Sequence, residues 1–145
     1  MSTLDDVARM RLISQRLIQP LNTPTDAVRH MTCTQGQDLP GSTSSIALRT
    51  ASRSLAQVRD AYDSGSIVRS WPMRGTLFAV AAEDLGWMLQ LTGAKIIRST
   101  SRRRAQLGLS DAHLELAEQV ARDALSVGPL TRTELMRAWA EGVTP

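Results

Sequence analysis

Lysine is almost missing from this chain: sixteen of its seventeen basic residues are arginine, and Lys95 stands alone. Aromatic residues are nearly as scarce, with three Trp, one Tyr and one Phe among 145 residues. Leu, Ile, Val, Ala and Met must therefore build the core. The same shortage argues against a platform that stacks single-stranded bases, which needs exposed rings. Cys33 is the only cysteine, which excludes an intrachain disulfide and fits a reducing, cytoplasmic setting. It reads as a buried, inert thiol. No apolar run is long enough to span a membrane. The acidic pair Asp5 and Asp6 is unlike the basic start of a signal peptide. His30 and His113 lie far from any Cys or carboxylate at ligand spacing, so neither metal nor cofactor is expected.

Apolar residues make up 42% of the chain, enough to bury a core. The net charge is +3 and the isoelectric point about 10. That charge is mild, so bulk attraction to a polyanion is weak. Individual arginines still matter, because a guanidinium fork can grip a phosphate through two hydrogen bonds.

Along the chain, helical spacing covers residues 4–19, with Thr3 as N-cap. Thr23 and Pro24 then open a second helix in the order of cap and first helical residue. Residues 34–45 are the most turn-rich stretch, where Gly36, Pro40 and Gly41 resist a continuous helix. A short helix is expected at 45–51, with Ile46, Ala47 and Leu48 inward. A longer one follows at 53–64, ended by Gly65. Ile67-Val68 and Thr76–Val80 read as strands, with a turn bracketed by Pro72 and Gly75 and Trp71 packed at its base. A helix from Glu83 should stop at Gly93, and residues 95–107 show a further helical pattern. Ser110 caps an amphipathic helix that Gly128-Pro129 breaks. Thr131 to Glu134 matches a capping box for a last helix, which a short strand at Pro129 should precede.

Two helices followed by a basic hairpin is the order of a winged helix, whose second helix and wing usually meet a nucleic-acid backbone. The expected fold class is mostly α with a small β-hairpin. A winged helix-turn-helix would be followed by a helical segment and the start of a second winged-helix unit. The domains read as 1–82, 83–128 and 129–145. The last one starts and does not finish, as in a piece of a longer protein. Arg49 and Arg53 beside the 53–64 helix, with Arg69, Arg74 and Thr76 on the hairpin, are the candidate contacts to double-stranded DNA.

The stretches Gln35-Gly-Gln-Asp38, Ile46-Ala-Leu-Arg-Thr50 and Ser66 to Leu89, with Arg69-Ser-Trp-Pro-Met-Arg-Gly-Thr-Leu-Phe78 inside the last, resemble the N-terminal part of the AlkZ/YcaQ family. That resemblance implies winged-helix proteins, among them DNA glycosylases acting on alkylated bases and crosslinks. It also implies that Gln35 and Gln37 form a catalytic Gln-x-Gln element. Relatives often carry an aliphatic residue between the two, so Gly36 is expected to loosen the loop. Phe78 stands where the resemblance implies histidine.

A glutamine amide does not titrate near neutral pH and cannot be a strong general base. One substrate class tolerates this. A cationic N7- or N3-alkylated purine leaves without being protonated. The protein then needs only to hold a water near C1′ and stabilise an oxocarbenium-like sugar, which amide dipoles can do. On an extended segment residues two apart face one way, so both amides would share a site. Asp38 would add negative charge to it, or cap the next turn. The alternatives are a non-catalytic winged-helix DNA-binding or regulatory module, and a protein-docking unit.

Overall fold

In the computed structural model, residues 3–142 are described. Helix α1 spans Leu4–Ser14. Thr3 and Asp6 close its start reciprocally, with backbone-to-side-chain bonds of 2.9 and 3.2 Å. The helical pattern continues to residue 19 but the helix does not. Arg16 and Gln19 take φ values of 58° and 60°, and the Leu17 and Ile18 amides both turn back to the Leu12 carbonyl. No residue of α1 is buried, so packing does not enforce the extra turn.

Helix α2 spans Pro24–Met31 under a Thr23 cap, and strand β1 is Thr34–Gln35. Helix α3 then occupies Leu39–Ala47, six residues earlier than the pattern suggests. Pro40 and Gly41 sit in its first turn, where a missing N–H costs nothing. Asp38 supplies the cap, accepting from the Gly41 amide at 2.9 Å. Leu48 falls just past the helix and is exposed. Helix α4 spans Leu55–Asp63 under Ser54.

Strands β2 (Ile67–Met73) and β3 (Thr76–Ala81) form the hairpin. β3 lies between its neighbours, in the antiparallel order β1-β3-β2. The hairpin turn is tighter than Pro72 and Gly75 suggest. Met73 pairs with Thr76, and only Arg74 and Gly75 lie between them. Register slips between Ser70 and Met73. This bulge turns Pro72 inward and leaves Trp71 56% exposed rather than packed.

One face of the sheet carries Ile67 and Ala79 and packs with Ala27, Val28, Ile46, Ala47, Val58 and Ala61 from α2, α3 and α4. The other carries Phe78 and Val80 with Cys33, Val68 and Met73. Met88 and Leu85 cover this second face from helix α5, Ala82–Ser99. Gly93 does not end α5. A lone helical glycine costs about 1 kcal/mol, and the turn around it is tied in place. The Thr92 hydroxyl donates to the Met88 carbonyl and to that of Pro72 on the hairpin.

The chain divides into two compact units, one ending at Ile97 and one beginning at Arg98. The second holds α6 (Ser101–Gln106), α7 (Asp111–Leu125) and α8 (Arg132–Gly142). The Trp139 indole N–H donates to the Ala117 carbonyl at 2.8 Å, joining α8 to α7. The Thr131–Glu134 box forms as expected. No strand precedes it at 129–131, since no partner strand is offered there. No helix among the described residues is long and apolar enough to cross a membrane. Nor do three or more described His, Cys, Asp or Glu residues gather where they could hold a metal ion.

Candidate active site

The segment Gln35 to Asp38 joins the end of β1 to the start of α3 and is pinned on three sides. Its first anchor is β3, where the Gly36 amide donates to the Leu77 carbonyl at 2.8 Å. A Cβ at Gly36 would lie 3.0 Å from both Ala79 N and Phe78 C. Glycine is there to let two backbones approach, so it does not loosen the loop. The second anchor is Arg69 on β2. Its Nε donates to the Gly36 carbonyl at 2.6 Å and its Nη2 to the Gln37 carbonyl at 3.0 Å. The third is Asp38, committed to the α3 cap through one carboxylate oxygen.

A cavity of about 350 Å³ opens beside this segment. Gln35, Asp38, Ser42 and Arg49 line it together with Met31, Cys33 and Thr34. Gln37 does not line it. The strand ends at Gln35 and the chain bends at Gln37, so the two-residue alternation is not carried through. Three residues of the wall hold a buried polar atom without a partner: Thr34 Oγ1, Ser42 Oγ and Arg49 Nε. All three groups can donate a hydrogen bond, and unpaired buried polar atoms are costly unless a ligand or water meets them.

The arginine itself is held firmly. Its Nη1 donates to the Ser45 carbonyl and hydroxyl at 2.7 and 2.9 Å, and its Nη2 to Gln15 Oε1 at 3.0 Å. Burial pushes the Arg49 pKa down, yet an arginine stays charged. Burial also pushes the Cys33 thiol up, against the pull of the nearby Arg74 charge. A raised thiol is a poor nucleophile.

Arg53 and Arg74 are exposed, and Thr76 is half-buried. Both arginines hold positive φ, 50° and 52°. A second cavity, of about 450 Å³, lies on the α3–α4 side, with Leu39, Pro40, Leu55, Tyr62 and Arg69 in its wall. It is larger but more apolar and holds neither glutamine. Gln15, Thr34 and Ser42 carry no sequence signal, because a bond across 34 residues joins Gln15 to Arg49 and only the fold sets β1 beside α3 at the cavity.

A family model described as DNA glycosylase AlkZ-like matches residues 28–144. The chain belongs to that family. Comparison with curated proteins and with solved structures gives no match. The AlkZ-like match covers β1, the Gln-Gly-Gln segment, the hairpin and α5 to α8. Membership in a family of DNA-repair glycosylases thus stands beside a site whose cavity holds an amide, a carboxylate and a guanidinium.

Proposed function

We propose that this chain is the winged-helix DNA-binding part of a glycosylase that hydrolyses the N-glycosidic bond of alkylated, cationic purines in double-stranded DNA. The observation that carries this reading is the cavity beside the Gln35–Asp38 segment. Gln35 and Asp38 line it together with three unpartnered donors. The proposal takes residues 1–82 as a winged helix, with α4 and the hairpin gripping the duplex. Residues 83–128 follow as a helical segment, and residues 129–145 begin a second winged-helix unit.

The charges in the cavity orient the nucleotide. A cationic base is repelled by the Arg49 guanidinium, whereas a phosphate is attracted to it and to the Thr34 and Ser42 hydroxyls. The sugar–phosphate end therefore sits against Arg49. C1′ then faces Gln35 and Asp38, and the base points outward. Gln35 accepts a hydrogen bond from the attacking water and turns its carbonyl dipole toward the oxocarbenium, while Asp38 adds negative charge. Water attacks C1′, the C1′–N bond breaks, its electron pair neutralises the cationic base as it departs, and the proton shed by the water passes to solvent. Gln37 acts from the loop beside the cavity. Arg53, Arg74 and Thr76 contact phosphates.

The test is base release from duplex DNA carrying N7-methylguanine, by the protein and by a Gln35→Ala/Gln37→Ala variant. The expected result is release by the first only, with DNA affinity changed less than about twofold. Equal release by both would sink the catalytic assignment. One observation favours a non-catalytic DNA-binding module instead, namely that Gln37 lies outside the cavity. Salt-dependent binding without any base release is the outcome that module predicts.

A further inference from the structure

We infer that Arg69 is a positioning residue that sets the Gln35–Asp38 segment, and is not a phosphate contact. The inference deepens the glycosylase reading and rests on it for its kinetic consequence, although the contact can be measured without any activity. In sequence Arg69 sits at the shoulder of a basic hairpin, where an arginine is expected to face DNA. Its geometry points elsewhere. Arg69 stands opposite Ala79 on β3, and Thr34 of β1 pairs with that same alanine from the other side. Paired residues share a face of the sheet, so Arg69 starts on the helix-packed face, level with β1. The small Ala79 side chain leaves a path across β3, and Gly36 offers no side chain to block its end. The guanidinium then closes on two successive carbonyls, those of Gly36 and Gln37, at 2.6 and 3.0 Å.

A guanidinium suits this task and an ammonium does not. Its planar fork presents two parallel donors at fixed spacing and loses little freedom in using them. The contact also explains how a glycine-containing segment is kept in one conformation. The β3 backbone holds the Gly36 amide from one side, and Arg69 holds the two carbonyls from the other. Arg69 lies at the surface, but with Nε and Nη2 spent on the Gly36 and Gln37 carbonyls the side chain cannot swing to a phosphate without releasing the segment that carries both glutamines.

The experiment compares the protein with Arg69→Lys and Arg69→Gln, using Arg74→Ala as the phosphate control. Arginine side-chain NMR should show an Arg69 Nε–H protected from exchange by its bond to the Gly36 carbonyl, unlike that of Arg74. In Arg69→Gln the Gly36 amide should exchange faster while the Val80 amide, deep in β3, keeps its protection. With N7-methylguanine duplex DNA, single-turnover base release should fall about 10- to 100-fold in both variants, as expected for a misplaced catalytic segment. DNA affinity and its salt dependence should hold, whereas Arg74→Ala should lower the log–log salt slope by about 0.9.

A fast-exchanging Arg69 Nε–H overturns the inference. So does an Arg69→Gln variant whose salt slope falls as in Arg74→Ala, or an Arg69→Lys variant with undiminished release. If the parent releases no base, the glycosylase reading fails on its own. The two exchange measurements then decide whether the clamp exists.

Discussion

Arg74 pays for its place in the hairpin with backbone strain, and removing that strain should improve stability while weakening DNA binding. Arg74 and Gly75 are the two residues between the paired Met73 and Thr76, at φ 52° and 67°. Positive φ at both central positions is type I′ geometry, for which Asn-Gly is the favoured pair. A side chain in the left-handed region costs roughly 1–2 kcal/mol, and asparagine recovers part of that by tolerating it. No ion pair ties the Arg74 guanidinium to a described residue, so nothing in the fold offsets the cost. Arg74→Asn should therefore stabilise the protein by about 0.5–1 kcal/mol. At an m value of about 2 kcal/mol/M the urea midpoint rises by roughly 0.3–0.5 M. On the proposed placement of Arg74, the same change deletes one phosphate contact. The log–log slope of affinity against salt should drop by about 0.9, which removes a roughly 3.5-fold change in Kd between 50 and 200 mM salt. A lower urea midpoint would refute the strain argument. An unchanged salt slope would refute the placement of Arg74 on DNA.

Asp38 can be separated into cap and charge. Asp38→Ala should cost about 1 kcal/mol through the lost α3 cap, whereas Asp38→Ser keeps a capping oxygen and most of the stability. If base release falls equally in both, measured under single-turnover conditions, the carboxylate charge matters; full release by Asp38→Ser would reduce it to a cap. Gly36→Ala should destabilise by roughly 0.5–2 kcal/mol in denaturant unfolding, because its Cβ meets the β3 backbone; a more stable variant would show that β1 yields. Acid should fray α8. Hydrogen bonds from the Thr131 hydroxyl and amide hold the Glu134 carboxyl below its usual range. The stabilisation is therefore fully present above the ordinary glutamate pKa and lost as pH falls below it through the lowered pKa of the folded state. Helix-specific amide exchange across that range checks this, and a Glu134→Gln variant should lose most of the pH effect.

Much of this protein could be read from local chemistry. Thr3, Thr23, Ser110 and Thr131 announced four helix starts, because an N-cap is decided by a few neighbouring residues. The hairpin was legible for the same reason, as a turn signal between two apolar runs. Gln35 and Gln37 could be named as a pair because they stand two apart and match a family pattern. What failed needed knowledge of distant partners. Gly93 looked like a stop, yet α5 runs through it because Thr92 is tied to Pro72 some twenty residues away. Gly36 looked like slack and is a close approach to β3. Trp71 looked packed, but the register slip after Ser70 turned it outward. Arg69 and Arg74 are chemically alike and flank one hairpin. The turn leaves Arg74 exposed, and pairing opposite Ala79 sends Arg69 across the sheet to the glutamine segment. Sequence alone determined the residue types available to the site and the helices that frame it. Tertiary structure alone decided which of them meet, because strand register and the seating of β1 against β3 and α3 join residues that no local pattern connects.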